Sequence, residues 1–264
     1  MSQLATVPPL LGRSSALARV RAFVARAAPV DAAVLIEGET GTGKGHVARL
    51  LHAGSPRARG AFVAVNCAGV PEALFESELF GHVRGAFTGA HADRVGLIAA
   101  AHGGTLFLDE VGELPVSQQA KLLAAVEERA SRPVGSTTPH QVDIRVISAT
   151  CRVLSDDLET GRFRPDLFHR LALLRLRLSP LRDRPEDILP LARRFLVRAI
   201  QRHATPDRTL TPPATDFLRH HPWPGNVRQL AHVVEAAVIL SRSARVGPAL
   251  LRRILDPDAE PRPT

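Results

Sequence analysis

One heptapeptide constrains this chain more than any other feature. Gly38-Glu39-Thr40-Gly41-Thr42-Gly43-Lys44 follows the apolar run Ala32-Ala33-Val34-Leu35-Ile36 and leads into a helical pattern from His46 to His52. In the order strand, glycine-rich loop, helix, the glycines let backbone N–H groups turn inward around phosphate and the lysine reaches the outer phosphates. The helix aims its N-terminus, here with Gly45 and His46 in its first turn, at the same anion. A glycine-rich loop alone is also an ordinary strand–helix turn. A second run separates the two cases: Gly104-Thr105-Leu106-Phe107-Leu108-Asp109-Glu110 is a buried strand ending in two carboxylates. Asp109 is placed to orient Mg²⁺ through water, and Glu110, one residue further on, to polarise an attacking water. Together the two runs imply a nucleoside triphosphate.

The rest of the chain reads as α/β. Candidate strands at 32–37, 62–66, 105–109, 144–149 and 173–178 alternate with helical segments near 43–53, 71–80, 94–101, 117–130 and 164–171. Apolar strands alternating with helices imply a parallel sheet covered on both faces. Ahead of them Leu17, Val20, Phe23 and Val24 recur at helical spacing. After Pro180 no strand candidate remains, and Ile188–His203, Pro213–His220 and Val227–Ser241 read as helices between proline-bearing turns. The expected division is a tail over 1–11, a nucleotide-binding α/β part over 12–180, a smaller all-helical part over 181–255 and a tail or linker over 256–264.

Composition narrows the setting. Lys and Arg number 34 against 26 Asp and Glu, a net charge of +8. Such an excess suits nucleic acid, but it equally offsets bound nucleotide, and no basic cluster coincides with a reading motif. Cys67 and Cys151 are the only cysteines and lack C-x-x-C spacing, so no disulfide framework or zinc site is indicated and a reducing cytoplasm fits. No apolar run is long enough to span a bilayer, and no signal peptide is indicated. Phosphoryl transfer needs cations at developing charge. Spacing alone leaves Arg164, Arg170 and Arg228 as either surface residues or candidates for that task.

A third segment, Gly85-Ala86-Phe87-Thr88-Gly89-Ala90, carries small residues at both ends and one aromatic and one hydroxyl at its tip. That composition suits a mobile loop, and an exposed Phe there is best explained by a partner that buries it. This loop, with Gly38–Lys44, Val65-Asn66-Cys67, Glu76–Ala90, Gly103–Glu110, Phe163–Leu171, Leu181–Ile188 and Trp223–Leu230, resembles the central domain of NtrC-type bacterial enhancer-binding proteins, the AAA+ activators of sigma-54 RNA polymerase. The pieces occur in the family's order and span roughly residues 10–255.

The resemblance implies an AAA+ P-loop NTPase fold with a parallel sheet sandwiched by helices and a helical lid, binding ATP and Mg²⁺. It implies that Lys44 is the Walker A lysine, that Asp109 and Glu110 are Walker B, and that Asn66 pairs with Glu110 as a switch. Arg164 and Arg170 would be arginine fingers acting on the neighbouring subunit's ATP, and Arg228 the sensor II arginine of the lid. Phe87 and Thr88 would touch the sigma factor. The implied activity is a ring, a hexamer in this family, whose GAFTGA loops remodel the closed complex of the polymerase holoenzyme, reaching promoter DNA indirectly and without a membrane.

Three departures bear on turnover. Gly45 stands where the family has Glu and general P-loops have Ser or Thr for Mg²⁺. Cys151 takes the place of the sensor I Asn, with Thr150 as the nearby hydroxyl that could substitute. Val83 stands where the family has Glu ahead of the loop. The expectation is retained ATP binding and slowed hydrolysis. A second reading is therefore a hydrolysis-impaired subunit that forms hetero-oligomers with a related activator and modulates it; a third, opposed by GAFTGA, is a DNA-processing or chaperone ATPase. The absence of a receiver ahead of residue 12 and of a helix-turn-helix after the lid is expected to reflect either an excised central domain or a protein that lacks its own enhancer-binding element. Among the remaining residues, Trp223 is expected to pack the lid, Cys67 to fill core, and no histidine spacing suggests a metal triad.

Overall fold

The computed structural model describes residues 7–256. The expected tail over 256–264 lies almost wholly, and that over 1–11 partly, outside the described residues. The described chain forms two compact units: one of residues 7–8, Val20–Gly38 and Lys44–Leu178, the other gathering Pro9–Arg19, Glu39–Gly43 and the described chain from Ser179 onward.

The first unit is built on five strands, β1 (Val34–Glu37), β2 (Phe62–Asn66), β3 (Thr105–Asp109), β4 (Arg145–Thr150) and β5 (Leu174–Arg177), in the order β2-β3-β4-β1-β5. Every neighbouring pair is parallel. Central parallel strands are covered on both faces and so read as continuous apolar runs; Val34, Leu35 and Ile36 of β1 are all fully buried. The register aligns the carboxyl ends, with Asn66 beside Asp109 and Glu37 beside Thr150. In open α/β sheets that edge is where ligands bind.

Helices α1 (Ser15–Ala27), α2 (Lys44–Ala53), α3 (Glu72–Phe80), α4 (Val116–Glu128) and α5 (Pro165–Leu171) accompany the sheet. Phe75 and Leu79 of α3, Leu122 of α4 and Leu167 of α5 share a core with Leu106 and Leu108 of β3. The end of α1 is capped from the sheet: the buried Arg145 guanidinium donates to the carbonyls of Ala27 and Ala28, both at 2.8 Å. A cation there complements the helix macrodipole and satisfies terminal carbonyls. The helix expected near 94–101 contracts to Leu97–Ala100, while Arg94–Val95 pairs antiparallel with Gly81–His82. Gly96 separates them because its backbone lies against Phe80, leaving no room for a Cβ. A short helix at Leu154–Glu159 had no clear periodicity to reveal it.

The second unit contains α6 (Ile188–His203), α7 (Pro212–His220), α8 (Asn226–Leu240) and α9 (Pro248–Leu255). Trp223, Leu218, Val234, Val238 and Leu251 are buried together at its centre. The Trp223 indole N–H donates to the Leu218 carbonyl at 2.8 Å, so the residue packs the lid as its sequence context suggests. Two features escaped the sequence: α9, and a two-residue parallel pair, Thr209–Leu210 with Arg245–Val246. The fully buried Asp187 anchors the segment before α1, accepting from Ser14 N–H at 2.9 Å and Ser14 Oγ at 2.6 Å.

Candidate nucleotide site and partner loop

Lys44, Asp109, Glu110, Asn66 and Cys151 meet at or just beyond the carboxyl edge of the sheet in the first unit. Lys44 opens α2 and is buried; its Nζ donates to the Gly38 carbonyl at 2.9 Å and pairs with Glu110 Oε1 at 3.1 Å. Glu110 reaches it through an unusual backbone. Its φ of 53° and ψ of 47° place it in the left-handed region, which costs a non-glycine residue on the order of 1–3 kcal/mol. That turn swings the carboxylate off the strand axis, so that Oε2 also accepts the Cys151 N–H at 2.8 Å. Burial pushes the Glu110 carboxyl up, but the Cys151 N–H and thiol and the Lys44 ammonium outweigh it, leaving the group below its ordinary value.

Asn66 does not pair with Glu110, contrary to the sequence expectation. Its Oδ1 accepts the Ala68 N–H at 3.2 Å, closing its own turn, while Lys44 and Cys151 occupy the glutamate. Thr150, the nearby hydroxyl, is fully buried and accepts the Arg152 N–H at 3.1 Å. Gly45 lies in α2, and a Cβ there would meet only the Phe107 ring, at 3.7 Å. Burial pushes the neighbouring His46 imidazole down, although it bonds the Pro8 backbone. Cys67 is core, and burial, with Asp109 and Glu110 nearby, pushes its thiol up to about 12.

Arg164, just ahead of α5, and Arg170, within it, lie away from these partners. Arg164 precedes the helix and forks onto Asp166 at 2.7 and 3.1 Å, and Arg170 donates to the Val126 carbonyl at 3.3 Å. The Gly85–Ala90 loop is pinched shut by Gly85 N–H to the Ala90 carbonyl at 2.9 Å. Gly85 and Gly89 hold φ of 81° and 105°, which only glycine adopts freely. Thr88 is exposed at the tip with Ala86 partly covered, and Phe87 remains 42% exposed, touching the His82 ring edge-on at 5.0 Å between centroids. Val83 sits beneath, its N–H on the Val134 carbonyl at 3.1 Å.

In the second unit, loop residues Glu39–Gly43 are held by Arg228 and by three groups to which the sequence assigned no role, Arg182, Arg184 and Asn226. Glu39 forks onto Arg182, with Oε2 at 2.8 Å from Nη1, and also accepts from Asn226 Nδ2 at 3.1 Å. Arg182 first, then Asn226, hold its carboxyl at about 2. Asn226 Nδ2 donates to the Thr40 carbonyl at 3.1 Å, Arg228 N–H to the Gly41 carbonyl at 3.3 Å, and Arg184 Nη2 to the Thr42 carbonyl at 3.1 Å. The Arg228 Cβ lies 3.2 Å from where a Gly41 Cβ would stand, and the Gly225 carbonyl excludes that Cβ at 2.3 Å. The signal for these groups was their place in two short motifs, from which the sequence reading gave only Arg228 a role.

Residues 10–177 match the sigma-54 interaction domain and residues 182–264 the AAA+ ATPase lid domain. The chain is 49% identical to the transcriptional regulatory protein ZraR of Klebsiella oxytoca over 88% of its length and 52% of the relative's. It is 44% identical to the transcriptional regulatory protein GlrR of Escherichia coli over 97% of its length and 57% of the relative's. The chain thus spans about half the length of these relatives. The crystal structure of Brucella abortus NtrX in complex with ADP superposes with a TM-score of 0.88 at 36% identity, over 97% of this chain and 57% of that one. The complex of that NtrX with ATP gives the same values. A RuvB mutant from Thermotoga maritima, at 14% identity and a TM-score of 0.56, shares the fold alone. No helix among the described residues is long and apolar enough to cross a membrane. A parallel sheet with its charged carboxyl edge, a helical lid and these matches place the chain in the sigma-54 interaction family of AAA+ P-loop NTPases, that of sigma-54-dependent transcriptional activators.

Proposed function

We propose that the chain is an ATP-hydrolysing activator module, with a nucleotide-binding part over 12–180 and a lid over 181–255. In this reading it assembles as a ring and remodels sigma-54 polymerase through the Gly85–Ala90 loop. The observation that carries it is the meeting of Lys44 and Glu110 at the carboxyl edge of the sheet, in a chain whose aromatic loop tip stays exposed. ATP fits the glycine-rich loop and Lys44, and the oxygen donors of Asp109 suit Mg²⁺, a hard cation. When bound, Mg²⁺ would neutralise phosphate charge. Glu110 leaves Lys44 for the attacking water, and Lys44 turns to phosphate. Arg170, exposed on α5, and Arg164, just ahead of it and bound to Asp166, supply the trans cations. Such an arginine is worth about 10³–10⁵ in rate. Sigma-54 is the partner of Phe87 and Thr88. Loading a phosphate-dependent switch with an exposed anchor is the general design of nucleotide-driven loops.

The second reading is a slow subunit that binds ATP and modulates a related activator. Its support is Gly45, which offers Mg²⁺ no hydroxyl, and a Glu110 held by Lys44 and Cys151 rather than by Asn66.

Binding to sigma-54 in the presence of a non-hydrolysable ATP analogue tests the leading reading. Phe87→Ala is expected to weaken it at least thirtyfold, the mark of an interface anchor, while ADP affinity stays unchanged. A wild-type chain that binds the analogue and ignores sigma-54 would overturn it.

A further inference from the structure

We infer that Asn226 is a positioning residue for phosphate binding: it holds the outer side of the glycine-rich loop so that the loop's N–H groups face the anion. The inference rests on the nucleotide reading above and adds a residue to it.

Three consecutive carbonyls, those of Thr40, Gly41 and Thr42, are each taken by a donor from the same compact unit: Asn226 Nδ2, Arg228 N–H and Arg184 Nη2. A trans peptide directs each N–H opposite to the preceding carbonyl. Fixing those carbonyls therefore fixes where the N–H groups of Gly41, Thr42 and Gly43 point. The Thr42 N–H closes a turn on the Glu39 carbonyl at 3.3 Å, so the groups the cradle presents to the anion are those of Gly41 and Gly43. A phosphate cradle works by pre-orientation of such groups, because a loop that must order itself on binding loses affinity.

Asn226 is the centre of this arrangement. It is fully buried, at φ 52°, a conformation that asparagine tolerates better than most residues. Its Oδ1 accepts the Leu181 N–H at 2.7 Å while its Nδ2 serves both Glu39 and Thr40. Nothing but an amide supplies an acceptor on one side and two donor hydrogens on the other. Glu39, kept ionised by Arg182, makes one of those bonds charge-assisted.

Asn226→Asp tests the donor. It keeps the size, the left-handed backbone and the acceptor for Leu181, and replaces Nδ2 by an oxygen facing the Glu39 carboxylate and the Thr40 carbonyl. ADP binding is measured by calorimetry at pH 8 and pH 5, with melting temperature as the check on folding. Losing a charge-assisted bond is expected to weaken ADP at least tenfold at pH 8. The introduced carboxyl, buried beside a like charge, titrates upward, so at pH 5 it regains a proton, donates again and recovers most of the affinity relative to wild type. A folded variant with affinity within twofold of wild type, or with the same loss at both pH values, would overturn the inference, the latter assigning the residue to packing. If the variant does not fold, amide exchange of the wild type gives the same test: reciprocity requires that ADP slow exchange at Leu181 and Arg228, and unchanged exchange would overturn it. A wild-type chain that takes up no ADP would instead overturn the nucleotide reading and the inference with it.

Discussion

Gly45→Ala is expected to stabilise the chain while leaving nucleotide affinity unchanged. Gly45 is the second residue of α2 and is absent from the positive-φ set. A Cβ at this position meets only the Phe107 Cε1 at 3.7 Å, an ordinary van der Waals distance. The native state therefore accommodates the methyl without adjustment. Glycine within a helix costs about 1 kcal/mol relative to alanine, largely through the freedom of the unfolded chain, and a first-turn position takes roughly half to all of that. In a chain of this size about 1 kcal/mol raises the melting temperature by roughly 2–4 °C. Thermal unfolding followed by circular dichroism without nucleotide reads the effect, since bound ligand would add its own stabilisation. A lower melting temperature would refute the reasoning, because it would mean that the Phe107 ring cannot receive the methyl or that α2 begins later.

Other outcomes follow from the same contacts. Arg145→Met leaves the buried carbonyls of Ala27 and Ala28 without their donor; at about 1–3 kcal/mol each, urea unfolding is expected to show a loss of roughly 2–6 kcal/mol. Glu39, held at about 2 against a usual 4.5, contributes stability that is present above its unfolded value and lost as pH falls through its folded one. The melting-temperature gap between wild type and Glu39→Gln is thus expected to close between pH 4.5 and pH 2, and a gap constant across that window would contradict the pairing. Cys151 is exposed and Cys67 is buried with its thiol at about 12, so iodoacetamide at pH 8 is expected to label Cys151 alone until the chain is denatured, as peptide mapping will show.

The sheet was legible because its strands are fully covered: Val34-Leu35-Ile36 and Leu106-Phe107-Leu108 can only be apolar. The long amphipathic helices were legible from their period, which is why α6 starts and ends as expected. Thr209–Leu210 and Arg245–Val246 were not, since two residues carry no alternation to read. Lys44 and Glu110 were found from local runs. The Asn66–Glu110 pairing failed because a carboxylate goes to the donors that reach it, here an ammonium and the Cys151 N–H, and the left-handed turn at Glu110 that aims it has no marker in the sequence. Asn226 and Arg184 lie more than 140 positions from the loop they hold, a separation across which a single sequence gives no contact signal.

The most direct test of the account is ATP hydrolysis per subunit across protein concentration, with Lys44→Ala as the blank. Assembly through trans-acting Arg164 and Arg170 predicts a rate per subunit that rises cooperatively with concentration and collapses in either arginine variant. A rate that stays at the blank level at every concentration, with ADP still bound, would contradict the self-assembled ATPase and favour the modulating subunit.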